Sequence, residues 1–148
     1  MEITILGNGG AVSDGLPYNS FLIDGHFLVE CPPDIMTGLF REGVDLSGIR
    51  ALFISHFHGD HCFGFPFLAL RLFYEKLAGA VDVFSLQGAE SRMKELCALA
   101  FGGDHPVLGW VERHCVFHEL EAGRKEAVPG GLELVPLPME HFVDTLGF

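Results

Sequence analysis

Four side chains that commonly bind metal ions lie within one six-residue segment, His56 to His61 (HFHGDH). In an extended segment His56 and His58 point to the same side and can bind one cation together. Gly59 lets the backbone turn, so Asp60 and His61 can present an oxygen and a nitrogen to a point nearby. Imidazole suits zinc, iron, nickel or manganese, and the carboxylate extends the choice toward harder metals. The segment therefore predicts a divalent-metal site.

The elements around this segment predict where it lies in the fold. The nearly all-apolar run 51–55 suits a strand buried on both faces, and Pro66 begins a predicted helix. Loops at strand ends are where α/β folds carry their chemistry. Early strands followed by strands that alternate with helices predict an α/β layered domain. Strands are predicted over 2–6, 20–23, 27–30, 51–55, 81–86, 115–120, 132–135 and from 145, and helices over 34–41, 66–77 and 89–101.

Size and composition narrow the function classes. The chain has 148 residues, enough for one domain, and a formal net charge of -11. Such a surface repels nucleic-acid backbones over long range, but bound divalent metals can reverse the potential inside a pocket. The four cysteines lack CxxC spacing, and neither a signal peptide nor a membrane-spanning run is recognisable. We therefore expect free thiols, no membrane association and a cytoplasmic location.

The metal-binding segment also resembles a known family. Residues 54–61 (ISHFHGDH) resemble the signature of the metallo-β-lactamase superfamily. Residues 62–68 (CFGFPFL) resemble the branch that contains RNase Z and related phosphodiesterases, with Phe65 where that branch usually has Leu. The stretches 6–10, 19–23 and 28–34 resemble the opening elements of the same branch.

The resemblance implies an αββα sandwich built from two similar halves. Residues 1–148 would form one metallo-β-lactamase-like domain, truncated at its C-terminal end, with only the N-terminal half to two-thirds present. It also implies two divalent metals, two zinc ions in the first instance, with manganese or iron as alternatives. His56 and His58 would bind the first metal, and Asp60 and His61 the second. The family's late bridging Asp and last His have no counterpart in this chain.

The third ligand of the first metal would be one of the later histidines. We choose His141, because it follows an apolar strand and precedes Asp-Thr-Leu-Gly-Phe, which is similar to the family's His followed by a Leu-Gly-aromatic strand. The other histidines receive ordinary structural roles: a solvated loop position for His105, surface positions for His114 and His118, and a turn for His26. Asp34 and Ser20 are our candidates for side chains that hold the ligands in place.

The function implied is that of a metal-dependent hydrolase. A metal-bound hydroxide would attack a phosphodiester, and Asp60 would act catalytically by binding a metal and orienting that hydroxide. The substrate would be an RNA 3′ end, as for RNase Z, or a small or cyclic phosphodiester. The alternatives are a carbonyl hydrolase acting on a lactone, thioester or β-lactam, and a non-catalytic fragment or partner-binding module. A homodimer that closes the sandwich between two chains is a further expectation.

Overall fold

The computed structural model describes residues 1–77 and 79–148. Its largest element is a six-stranded sheet in the order β1-β2-β3-β4-β5-β6. The first three strands run antiparallel, whereas β3, β4, β5 and β6 run parallel. The strands are β1 (Ile3–Gly7), β2 (Ser20–Ile23), β3 (Phe27–Val29), β4 (Ala51–Ile54), β5 (Val81–Ser85) and β6 (Cys115–Glu119). The predicted mixed α/β fold is thus confirmed.

Helices cover one face of this sheet. They are α1 (Ile35–Arg41), the single turn α2 (Gly59–Cys62), α3 (Phe65–Tyr74), α4 (Ala89–Phe101) and α5 (Pro106–His114). Leu39 of α1, Leu68 of α3, Met93 of α4 and Val111 of α5 are all buried in one core with alternate strand residues such as Leu52. Because alternate residues of a strand point to opposite faces, every second apolar side chain of a strand packs against the helices.

The other face of the sheet carries a smaller apolar core. Phe27, Phe53 and Phe84 of the sheet are buried there against Leu134 and Leu146. These last two residues belong to two small antiparallel sheets. The pairs are β7 (Glu126–Val128) with β8 (Leu132–Leu134), and β9 (Leu137–Pro138) with β10 (Leu146–Gly147).

β4 is the strand that delivers the metal-binding segment. All four of its residues are buried, because it lies between the parallel strands β3 and β5. The segment beginning at Ser55 therefore leaves the sheet at the carboxyl end of a central strand, as the apolar run predicts.

The structure differs from the predicted elements in several places. The helix predicted to reach residue 77 ends at Tyr74, because Lys76 adopts a left-handed backbone with φ 55°. Helix α5 was not predicted, although Pro at its first position and the apolar Val107 and Trp110, three residues apart, are helical signals. Strands β7 and β9 were not predicted, and each has three residues or fewer.

Among the described residues, no helix combines the length and apolar character needed to cross a bilayer.

Candidate metal centre

Three histidines from two distant parts of the chain meet beyond the end of β4. His56, His58 and His141 each offer a nitrogen, and these three atoms lie within 4.8 Å of one another. The ring centroids are 4.6 Å apart for His56 and His58 and 4.7 Å apart for His56 and His141. The histidine chosen from the sequence as the third ligand is thus the one that the fold brings to the first two.

The β9–β10 pair explains how His141 reaches this position. His141 lies in the bend between these two strands, and the backbone N–H of Met139 donates to the carbonyl oxygen of Thr145 at 3.0 Å. The N–H of Leu146 then donates to the carbonyl oxygen of Ser55 at 3.1 Å. This bond ties the late segment to the residue directly before His56.

The donor set fits a metal cation. His56 is only 3% exposed, and its Nε2 is buried without a hydrogen-bond partner among the residues that the structure describes. A buried polar nitrogen without a partner is unfavourable unless a ligand satisfies it. Here that nitrogen belongs to a cluster of three imidazoles, a donor set that suits zinc and other transition metals.

Asp60 and His61 lie beside this cluster. The His61 ring is 4.1 Å from the His56 ring, centroid to centroid, and its Nε2 is 3.5 Å from Oδ2 of Asp60. Oδ2 of Asp60 and Nε2 of His61 thus lie close to each other at the side of the cluster. Within residues 1–77 and 79–148, the three-histidine cluster is the one group of three or more such ligands. A second metal position that uses Asp60 and His61 stays a prediction.

Two buried side chains that were not predicted from the sequence hold the imidazoles in place. Oγ of Ser55 is 2.9 Å from Nδ1 of His56, and Oε1 of Glu30 is 3.2 Å from Nδ1 of His61. The second carboxylate oxygen of Glu30 accepts the backbone N–H of Ser55 at 3.3 Å. Partners of this kind fix the tautomer and the orientation of metal-binding histidines.

Asp34 and Ser20, the two side chains proposed from the sequence for that role, hydrogen-bond elsewhere. Oδ2 of Asp34 accepts the backbone N–H of Tyr18 at 3.1 Å, and Oγ of Ser20 donates to the carbonyl oxygen of Tyr18 at 3.2 Å. Both therefore shape the loop before β2. Glu30, which directly follows β3 and has a left-handed φ of 65°, is the carboxylate that contacts His61 instead.

The imidazoles differ in their electrostatic environments. Burial, together with the neighbouring His61, His58 and His141, lowers the pKa of His56 to about 4. For His61 burial also disfavours the charged form, but the hydrogen bond and charge of Glu30 and the charge of Asp60 outweigh it and raise the pKa of that imidazole. His56 is thus held neutral, the form that can bind a metal.

The remaining histidines lie apart from the cluster. His105 was predicted to be solvated, but it is half-buried, and its Nδ1 accepts the N–H of Val107 at the start of α5. Nε2 of His118 is 2.6 Å from Oδ1 of Asp82, and the ring stacks on Phe84. His114 stacks on Trp110, and His26 bonds two carbonyl oxygens, those of Asp24 and Pro129, as its predicted turn role suggests.

Residues 1–143 match the protein family described as "Anti-Pycsar protein Apyc1". The chain belongs to this family. Curated relatives named Ribonuclease Z include one from Picrophilus torridus, 31% identical over 102 residues, and one from Haloferax volcanii, 27% identical over 152 residues. These alignments cover 66% and 100% of this chain, but only 33% and 45% of the relatives. The chain thus spans about a third to a half of the length of these relatives.

Solved structures show the same fold. Human tRNase Z, short form, superposes with a TM-score of 0.73 at 20% sequence identity, covering 99% of this chain and 63% of that one. The metallo-β-lactamase fold protein YhfI from Bacillus subtilis gives a TM-score of 0.69 at 16% identity, covering 97% and 56%. The family of this chain therefore has the metallo-β-lactamase fold, in the branch that contains RNase Z, and the resemblance seen in the sequence is confirmed.

Proposed function

We propose that this chain carries the metal-binding part of a metal-dependent phosphodiesterase. His56, His58 and His141 would hold one divalent cation, and Asp60 and His61 would contribute to a second position. The observation that supports this most directly is the buried Nε2 of His56, which lacks a hydrogen-bond partner among the described residues and lies within the three-histidine cluster.

Each side chain of the centre has a distinct task in this proposal. A divalent metal held by these residues would supply Lewis-acid chemistry, activating water near neutral pH and polarising the group under attack. Ser55 and Glu30 hold the His56 and His61 rings, so that the ligands need little reorganisation. Asp60 accepts the hydrogen bond that orients the attacking water, which is our catalytic role for this carboxylate.

A phosphodiester is the substrate class that the relatives favour. The curated relatives named above are Ribonuclease Z, and the family description refers to Apyc1. We therefore propose an RNA 3′ end or a small, cyclic phosphodiester as substrate. The three nitrogen donors favour zinc, with manganese or iron as alternatives. The full complement would be two metals, the second bound with the help of Asp60 and His61. The Zn(2+)-bound protein PqqB from Methylobacterium extorquens shares the fold, with a TM-score of 0.64.

Three broader expectations belong to the same proposal. Residues 1–148 form part of one metallo-β-lactamase-like αββα domain. The protein works in the cytoplasm, in keeping with four free cysteines, of which Cys31, Cys62 and Cys97 are buried. Two chains associate as a homodimer.

Metal content and substrate choice test the proposal together. The purified protein is assayed for bound metal by elemental mass spectrometry, then given 3′,5′-cyclic nucleotides, a tRNA precursor with a 3′ trailer, a lactone and a β-lactam. We expect bound zinc, phosphodiester cleavage that chelation abolishes, and a loss of roughly 10²–10⁴-fold in Asp60→Asn. Absence of bound metal after incubation with zinc, or cleavage of the carbonyl substrates alone, would contradict the proposal.

A further inference from the structure

A cleft opens beside the histidine cluster. It has a volume of about 660 Å³ and is lined by His58 and Phe57 on the metal-binding segment, by Gln87 and Arg92, and by Asp144. Sites for small organic ligands have volumes of about 300–1,000 Å³, so a nucleotide-sized molecule can enter. His58 belongs both to this cleft and to the proposed metal centre.

Arg92 is the cation of this cleft. It lies in the first turns of α4, and its Cζ is 4.8 Å from the centroid of the Phe57 ring. Phe57 stands between His56 and His58, so this cation–π contact ties the guanidinium to the metal-binding segment. A guanidinium that lies over a ring face keeps its N–H edges free to bind a ligand.

This guanidinium is also unpaired among the residues that the structure describes. Arg41, Arg71 and Arg124 each lie within 4.0 Å of a glutamate carboxylate, and Arg50 donates to backbone carbonyl oxygens. Arg92, like Arg113, has neither an ion pair nor a side-chain hydrogen bond there, and of these two only Arg92 lines the cleft. The chain has 20 acidic residues against 9 basic ones, so carboxylate partners are abundant. A guanidinium that faces a cleft in such a chain without a carboxylate partner is available for an anionic ligand.

We infer that Arg92 binds the phosphate of the substrate and selects anionic over neutral substrates. This inference rests on the proposed function, because it assigns a substrate-binding residue to the same site. The planar guanidinium can donate two parallel hydrogen bonds to phosphate oxygens, and such charge-assisted bonds are stronger than neutral ones. Gln87 and the carboxylate of Asp144 would then face the neutral sugar or base, since a carboxylate repels phosphate. The substrate class is a compact phosphodiester with a hydrogen-bonding neutral part.

Phosphate binding without metal separates this inference from the proposed function. Inorganic phosphate is titrated into chelator-treated protein, and both the arginine Nε–H signals and the backbone amide signals around the cleft are followed by proton–nitrogen NMR. We expect a saturable shift of the Arg92 signal in the wild type and binding weakened about 10-fold or more in Arg92→Gln. Arg71→Gln is the matched control, because Arg71 also lies over a phenylalanine, Phe40, but pairs with Glu75. An Arg92 signal that does not move, or equal binding by Arg92→Gln, would overturn the inference.

A pair of substrates tests selectivity in the metal-loaded enzyme. For bis(p-nitrophenyl) phosphate, which is anionic, we expect kcat/KM of Arg92→Gln to fall about 10- to 100-fold, chiefly through KM. For the neutral ester p-nitrophenyl acetate we expect no change, and Arg71→Gln should match the wild type with both. Equal losses on both substrates would show a structural role and refute the assignment. If the wild type cleaves neither substrate, the proposed function fails, while the phosphate titration still decides on Arg92.

Discussion

His56 and His141 offer nitrogens to the same point, but the fold holds them in opposite ways. His56 follows a strand whose four residues are all buried, is itself 3% exposed, and lies 2.9 Å from Oγ of Ser55. His141 is exposed, and its neighbour Phe142 is 98% exposed. One proposed ligand is thus buried at the end of a central strand, and the other stands on a surface bend between two strands of two residues each.

This difference in burial predicts how much each histidine contributes to metal affinity. A ligand that is already fixed loses little conformational freedom when a metal binds, whereas an exposed side chain on a bend must first be ordered. A lost surface ligand can also be replaced by water. We therefore expect the buried histidine to contribute more to affinity than the exposed one, although both would contact the same ion.

The largest expected effect comes from removing each of these ligands in turn. We expect His56→Ala to weaken zinc binding by more than the roughly 10–100-fold typical of a partner outside the coordination shell, and His141→Ala to weaken it less. Competition against a chromophoric chelator measures both affinities. Melting temperatures of the metal-free variants serve as the control for folding, since only His56 is in the core. Equal losses, or a greater loss in His141→Ala, would contradict the comparison.

An intermediate effect is expected for Glu30→Gln. The buried carboxylate raises the pKa of His61, so the charge-neutral variant should lower the pKa of that imidazole and weaken metal binding about 10-fold or more. A raised pKa in the folded state stabilises the metal-free protein at low pH, and this contribution is lost as pH rises through the folded-state pKa. The destabilisation by Glu30→Gln should therefore be greater at about pH 6 than at about pH 9.

Urea denaturation at the two pH values measures that stability difference, and NMR titration of the imidazoles measures the pKa. An unchanged His61 titration in Glu30→Gln would show that the carboxylate does not act on this ring.

The position of the buried His56 could be predicted from the sequence. The side chains that hold the imidazoles, Ser55 and Glu30, could not. The all-apolar run before His56 specifies a central strand, and the HxHxDH spacing then places ligands at its end by geometry alone. Even His141 could be chosen, but only through a family resemblance, because nothing in its local sequence distinguishes it from His105 or His118.

Side chains that act through tertiary contacts leave weaker signals. Glu30 lies 25 residues before Ser55 and contacts it because β3 and β4 pair in parallel, a register that the sequence does not state. For the same reason Asp34, a plausible acidic residue four positions later, was chosen instead. His105 was taken for a solvated residue because α5 itself was not recognised, and its capping role depends on that helix.

The smallest of the three effects is expected for Ser55→Ala. Its hydroxyl is 2.9 Å from Nδ1 of His56 and 3.4 Å from Nδ1 of His61, so its loss frees both rings without removing a ligand or a charge. We expect zinc affinity to fall about 10-fold, the lower end for a partner outside the coordination shell. The same chelator competition measures it.

Ser85→Ala is the matched control for this substitution. Ser85 is also buried, but its hydroxyl donates to the carbonyl oxygen of Ile54 at 2.7 Å and has no hydrogen bond to either imidazole. It should cost about 1 kcal/mol of stability, as a lost buried hydrogen bond does, and leave zinc affinity unchanged. If both variants weaken zinc binding equally, general loosening of the end of β4 is the cause. If only Ser55→Ala weakens zinc binding, the zinc affinity depends on the hydrogen bonds that hold the His56 and His61 rings.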